Sequence, residues 1–193
     1  MDTVTEKAYT FAELSDDAKE QALEGMRTFA NEIMDYDFCI EHIKEMGNVL
    51  GIEIDHVYFS GFYNQGDGAM FTGEYSYKQN SVKAIKELSF DSDLRDVAVN
   101  LANTQQKNFY GLSATVSHIG RNYHEQSTSI DVYNDRLERE ASESVTDDIS
   151  EYLRDFMLWS YSILKQEYEF QLLDSTLIDS IDANDMRFDE NGN

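Results

Sequence analysis

The 193-residue chain contains no proline and a single cysteine, and bases are scarce in it: 15 Lys+Arg stand against 38 Asp+Glu, a net charge of −23. Without proline, helix ends have to be set by glycine and polar caps. Cys39 has no partner for an internal disulfide, and four histidines leave no Cys-rich zinc pattern, so a reducing, cytoplasmic setting is expected. The shortage of bases argues against direct nucleic-acid binding, because phosphates would be repelled along most of the surface. Long apolar runs are missing too: the most apolar segment, 156–164, is far short of the ~20 residues of a membrane span, and no basic-then-apolar leader opens the chain. Neither a membrane nor an export signal is expected. What is plentiful is core material, 41% hydrophobic and 12% aromatic, which excludes a disordered chain.

The acid is unevenly placed. Residues 1–50 carry 12 acids and 4 bases, 51–139 carry 12 and 8, and 140–193 carry 14 and 3. Both ends read as helical, which predicts carboxylate-covered helices flanking a milder middle.

Ser15 ahead of Asp16 and Asp17 is an N-cap followed by first-turn acids. From there Ala18, Ala22, Met26, Phe29, Ala30 and Ile33 mark a buried stripe, broken at Asp35 to Asp37. A second stripe, Tyr36, Cys39, Ile40, Ile43, Met46 and Leu50, runs to Gly51 at a left-handed cap position, and makes Cys39 core filler. The period then changes to two. Ile52-Glu53-Ile54 and Val57-Tyr58-Phe59 pair in a hairpin with Phe71 to Tyr77 across a glycine-rich loop.

After a short helix over 81–88, a second helix–glycine–hairpin unit follows: a helix from Asp91 or Ser92 with Leu94, Val97, Ala98 and Leu101 inward, Gly111 as cap, and strands 112–118 and 123–133. Burial of the apolar side sets His118 opposite His124, Val116 opposite Gln126, Ala114 opposite Thr128 and Leu112 opposite Ile130. A one-residue slip would turn Glu125 and Asp131 inward. From Glu143, Val145, Ile149, Tyr152, Leu153, Phe156, Trp159, Ile163 and Leu164 mark a long amphipathic helix to about Leu172. The fold expected is α+β: a four-stranded antiparallel sheet from hairpins 52–77 and 112–133 with helices on one face, forming one domain over 1–181 and a flexible acidic tail over 182–193.

Chemistry-bearing motifs are few. Two imidazoles across a hairpin, His118 and His124, are weak metal candidates, since no spacing selects a third ligand among His42, His56, Glu125 and Asp131. Asp67, between Gly66 and Gly68, suits either a turn or a functional role. No serine-hydrolase elbow, zinc-peptidase helix, paired-cysteine or dinucleotide fingerprint occurs, and no cofactor is expected. Tyr58, Tyr63 and Tyr110 would serve as interface anchors if exposed.

Tyr58-Phe59-Ser60-Gly61-Phe62, Gln65-Gly66-Asp67-Gly68-Ala69, Phe71-Thr72-Gly73, Asn108-Phe109-Tyr110, Val116-Ser117-His118 and Tyr123-His124-Glu125 together resemble the signature of a family carried by bacteriophage and prophage genomes. Some of its members bear the label of toxin–antitoxin antitoxins. The resemblance spans roughly residues 10–135, with Gly-Asp-Gly its specific part. It implies a phage or mobile-element origin and brings no catalytic residues.

These readings lead to an acidic inhibitor of a host nucleic-acid-handling system, of the anti-CRISPR or anti-restriction type, acting in the host cytoplasm by nucleic-acid mimicry. The partner would be a basic host protein or nucleoprotein complex. Its contacts would come from Asp147, Asp148, Glu151, Asp155, Glu167 and Glu169, with Phe62, Tyr63 and Asp67 as a second patch. The alternatives are an antitoxin masking a basic toxin, and a metal-dependent hydrolase built on Asp67, His118 and His124. Oligomeric state is left open.

Overall fold

A computed structural model describes residues 7–193 and divides them into two compact units, one formed by the residues up to Tyr36 with Gln166–Asn193, the other by Asp37–Lys165. Each unit has its own buried apolar core.

In the smaller unit, α1 (Asp16–Ile33) starts where the cap predicts: the Ser15 hydroxyl accepts from the Ala18 N–H. Ala18, Ala22, Leu23 and Met26 of α1 pack with Leu14, with Leu177 and Ile181 of α6 (Asp174–Ala183), and with Phe188. Phe29 and Ile33, expected on this stripe, are instead 47% and 62% exposed, because the apolar cluster closes at Met26 and the half-buried Ala30. The segment 182–193, expected to be a flexible tail, is docked at its aromatic residue. Phe188 and Tyr9 exchange backbone hydrogen bonds, Phe188 meets Phe11 edge-on at 6.3 Å, and Gly192, at φ +89°, lies where a Cβ would be 2.1 Å from the Ala18 carbonyl oxygen. One ring is enough to anchor a polar segment when it completes an apolar cluster.

In the larger unit, α2 (Asp37–Leu50) ends at Gly51, which takes φ +90° as its cap position requires. Cys39 is half-buried. The chain then forms β1 (Ile52–Ser60), β2 (Gly68–Ser76), α3 (Ser81–Leu88), α4 (Ser92–Lys107), β3 (Leu112–His118), β4 (Thr128–Asn134), β5 (Arg139–Glu140) and α5 (Glu143–Gln171), of which residues 143–165 belong to this unit. The sheet has five antiparallel strands in the order β1-β2-β3-β4-β5. The four-stranded expectation missed β5, whose two residues are too few to show a period. Leu112, Ala114, Val116, Ile130 and Val132 turn inward, and Phe71 meets Phe156 of α5 edge-on at 5.9 Å. On the other face Glu53, Glu74, Thr115 and Asp131 form one exposed cross-strand row.

The second hairpin is paired four residues away from the expected register: His118 lies opposite Thr128, Val116 opposite Ile130, Ala114 opposite Val132 and Leu112 opposite Asn134. An even shift keeps every side chain on its face, so burial alone could not separate the two registers. The difference comes from a 3-10 turn over Glu125–Ser127, which removes residues 124–127 from the strand. Glu125 is nevertheless buried, with a carboxylate oxygen 2.9 Å from His124 Nδ1. Gly111 is not the left-handed cap either; Phe109 (φ 57°) and Tyr110 (φ 59°) take that conformation.

Candidate functional site: an acidic face on two helices

Asp91 caps α4 by accepting from the N–H groups of Asp93 and Leu94. With Leu94, Val97, Ala98 and Leu101 buried, Asp93 and Asp96 fall on the outer side of α4. On α5 the buried set is Ile149, Ser150, Leu153, Phe156, Met157, Trp159, Ser160 and Leu164, with Trp159 at the edge nearest the acids. At 100° per residue, Asp147, Asp148, Glu151 and Asp155 fall within an arc of about 100° on the opposite side. The two sets are close enough to repel: burial, then the charges of Glu151 and Asp93, push the Asp155 carboxyl above its ordinary value. The Tyr152 hydroxyl is pushed up as well, by burial first and then by Asp148, with Glu151 and Asp155 adding to the effect. Among the described residues none of these six carboxylates pairs with a base, whereas Glu20, Glu24 and Asp174 all share Arg27. A cavity of about 310 Å³ lies at this face, lined by Asp93, Asp96, Asp155, Leu158, Trp159 and Ser162.

Glu167 and Glu169 belong to the smaller unit, and Glu167 accepts a hydrogen bond from the Gln171 amide. The six acids predicted as one contact set are thus divided between the units, and four of them are brought together with Asp93.

The loop after β1 has a different role. Asp67 accepts from the backbone N–H groups of Tyr63 (2.9 Å) and Asn64 (2.7 Å), and its carboxylate lies where a Cβ on Gly61 would meet it at 2.6 Å. It is a turn-forming residue. Phe62, expected as a partner contact, is buried, stacked between Phe59 (5.9 Å) and Tyr161 (5.6 Å). Tyr63 is 68% exposed, with Lys165 Nζ 5.5 Å from its ring centre. Gly68 lies close to the second hairpin, where a Cβ would be 3.0 Å from His124 Cδ2.

His118 and His124 do not face each other. His118 Nε2 bonds the Asn122 carbonyl at 3.0 Å, and its ring stacks on Tyr58 at 6.2 Å. His124 caps the 3-10 turn, its Nδ1 accepting from the Gln126 N–H. No group of three or more His, Cys, Asp or Glu able to hold a metal ion occurs among the described residues.

The model of the DUF8835 family, a domain of unknown function, matches residues 36–174, well over half of the chain. The chain belongs to the DUF8835 family. No curated protein and no solved structure matches it. The DUF8835 span contains the whole larger unit, the α4–α5 carboxylates and the Asp67 loop. No helix among the described residues is long and apolar enough to cross a membrane.

Sequence reasoning missed Asp93, Asp96 and Trp159 as members of the DUF8835 acidic face. The signal was present: 93 and 96 stand at i, i+3 beside the inward pair Leu94 and Val97. It was obscured because acids near a helix start already have a reason to be there in the helix dipole.

Proposed function

We propose that this DUF8835 protein is an acidic, phage-encoded binding protein that inhibits a host nucleic-acid-handling system, by presenting the α4–α5 carboxylates to a basic groove meant for DNA or RNA. The observation that carries the reading is the band of unpaired carboxylates. Asp147, Asp148, Glu151 and Asp155 lie within eight residue steps, about 12 Å of helix axis, or about 3–4 Å per charge, against about 3.4 Å per phosphate along one strand of a duplex. Asp93 and Asp96 extend the band sideways. A solubilising surface needs charge but no such clustering, and clustering without bases raises the free energy of the unbound protein. The engagement of Asp67, His118 and His124 in turn and cap hydrogen bonds favours binding over the hydrolase alternative.

The test is retention of host proteins on the immobilised full chain across a salt series with nucleic-acid competitors. Retention of a nucleic-acid-binding complex that falls steeply with salt and is displaced by DNA or RNA is expected, because the Debye length shrinks from about 8 Å at 0.15 M to about 3 Å at 1 M. Retention indifferent to salt and competitor would refute mimicry. Retention of a small basic toxin would replace the reading by the antitoxin one.

A further inference from the structure

A cavity of about 200 Å³ lies where the start of α3 meets the C-terminal half of α4, and its surroundings are the reverse of the acidic face. No acid occurs between Glu74 and Glu87 or between Asp96 and Glu125, and every residue lining the cavity comes from these two stretches, which also hold Lys78, Lys83, Lys86 and Lys107. α3 begins here with its first donors unused. Asn80, at φ 66°, stands at the N-cap without a side-chain cap bond, and no acid occupies the first turn. The Ala84 N–H bonds the Asn80 carbonyl, whereas the N–H groups of Ser81, Val82 and Lys83 have no acceptor among the described residues. An uncapped helix start of this kind attracts anions.

Ser81 adds a buried side-chain donor at the same place. It is 8% exposed, lines the cavity, and its hydroxyl makes no hydrogen bond among the described residues. The hydroxyl is not sealed off in the core: the enclosed side-chain polar atoms left without a partner are Arg154 Nε and Trp159 Nε1, and Ser81 Oγ is not among them. Its residual access is to the open space that Ser81 lines. Buried hydroxyls are nearly always paired, so one left open at a cavity calls for an acceptor from outside. Asn103 and Gln106, at i and i+3 on α4, line the cavity from the other helix, and the rings of Tyr77 and Tyr110 lie beside it with centroids 4.6 Å apart.

We propose that this cavity binds the phosphate of a nucleotide, whose oxygens accept from the Ser81, Val82 and Lys83 N–H groups and from the Ser81 hydroxyl, while the base lies on Tyr110. The site is independent of the acidic face, since it uses other residues and a ligand of opposite charge. A phosphate monoester suits it because three terminal oxygens can meet several donors at once, where a carboxylate offers two. The cavity is below the roughly 300–1,000 Å³ of sites that enclose a drug-sized ligand, so it holds the phosphate end and leaves the base outside. There Tyr110, 45% exposed, offers a ring on which any base can stack. Repulsion from acids elsewhere in the chain is screened over about 8 Å at physiological ionic strength.

The full chain, labelled with 15N, is titrated with adenosine monophosphate, inorganic phosphate, adenosine and N-acetyl-phosphoserinamide at fixed pH and ionic strength, and the Ser81, Val82 and Lys83 N–H resonances are followed. Saturable downfield movement of these resonances by adenosine monophosphate is expected, with weaker binding of the two ringless phosphates and none of adenosine. Ser81→Ala keeps the backbone donors and should weaken adenosine monophosphate about tenfold, the effect of losing one charge-assisted hydrogen bond. A purely structural Ser81 would shift the thermal midpoint and leave that affinity unchanged, which overturns the proposal. Asn80→Asp, an exposed and nearly isosteric change, sets a carboxylate beside the helix start; it should keep or raise the thermal midpoint while weakening adenosine monophosphate at least tenfold. Tyr110→Leu should weaken adenosine monophosphate and leave inorganic phosphate unaffected. Resonances that no probe moves, or that move equally in the Ser81→Ala and Asn80→Asp variants, overturn the proposal. Adenosine binding as tightly as its monophosphate overturns it in favour of an uncharged aromatic ligand, and the phosphoserine probe doing so overturns it in favour of a phosphorylated peptide.

Discussion

Gln105 offers the sharpest test of how the larger unit is held together. It is fully buried in α4, and its amide Nε2 donates to the Leu112 carbonyl (2.7 Å) and the Tyr75 hydroxyl (3.2 Å), while its Oε1 accepts from the Leu112 N–H (3.1 Å). The need arises from the sheet. The Asp135 N–H bonds the Gly111 carbonyl, so by antiparallel alternation the polar groups of Leu112 point away from β4, and the pairing of β2 with β3 stops at Ser76 opposite Ser113. The Gln105 amide stands in for the missing strand. Replacing it by leucine keeps the apolar volume but orphans a backbone N–H, a backbone carbonyl and the Tyr75 hydroxyl. At about 1–3 kcal/mol for each buried unpaired group, the loss should be about 3–9 kcal/mol, a large share of the roughly 5–15 kcal/mol that holds a domain together. Tyr75 is itself neutral, its hydroxyl pushed up to about 12 by burial, so Tyr75→Phe should cost only about 1 kcal/mol. The double variant should be no worse than Gln105→Leu, since one orphan has been removed with its partner. Urea unfolding followed by Trp159 fluorescence reports this unit directly. A Gln105→Leu variant within 1 kcal/mol of the parent (a threshold set by the usual worth of a single hydrogen bond, about 1 kcal/mol) would refute the reasoning.

Three further outcomes are expected. Asp67→Ala removes the acceptor of two turn N–H groups and should cost about 0.5–2 kcal/mol in a urea titration, as loss of a capping side chain does; an unchanged midpoint would show that the turn does not need it. Phe188→Ala takes a ring out of the smaller cluster and should cost about 3 kcal/mol there, read as faster proteolysis near the C-terminus; unchanged cleavage would show that the ring is not an anchor. Asp155→Asn should raise the thermal midpoint at pH 7, because a carboxyl whose pKa is raised in the folded state destabilises it when ionised. The gain should fade as pH falls through the raised folded value and be gone below the ordinary value of 3.8, where the parent carboxyl is neutral in both states, and a loss of stability at pH 7 would contradict the assigned repulsion.

Local signals carried most of the fold. Ser15, Gly51 and Asp91 terminate helices where their chemistry places them, and α5 ends one residue short of the expected limit at Leu172. What failed was set by contacts distant in sequence or by backbone choices with no residue signature. Gly111 was read as a cap because glycine suits one, yet it is needed for another reason: a Cβ there would lie 2.7 Å from Arg136 Cγ. The left-handed turn fell instead on Phe109 and Tyr110, where the Tyr110 N–H reaches back to the Gln105 carbonyl at 2.7 Å. The hairpin register escaped a burial argument because the two solutions differ by an even number of residues. Only the turn at 125–127, closed by the Thr128 hydroxyl on the Glu125 carbonyl, separates them.

Charge counting could locate an acidic end but not sort its carboxylates, and the hydrogen bonds do so. Asp67, Asp91 and Asp189 each accept two or more backbone N–H groups, and Asp174 holds Arg27, so each stabilises the fold it sits in. Asp147, Asp148, Glu151, Asp155 and Asp96 receive no such donor among the described residues, and Asp155 is pushed upward by burial and then by its neighbours instead of held down by a base. A surface charge in that position weakens the folded state, and neutral residues at those positions would relieve it at once. A cationic partner relieves it as well, by replacing carboxylate repulsion with charge-assisted hydrogen bonds. Unpaired carboxylates gathered on two neighbouring helices are relieved together by a cationic partner, which is why the α4–α5 face, and not the more numerous acids elsewhere, is where binding is assigned.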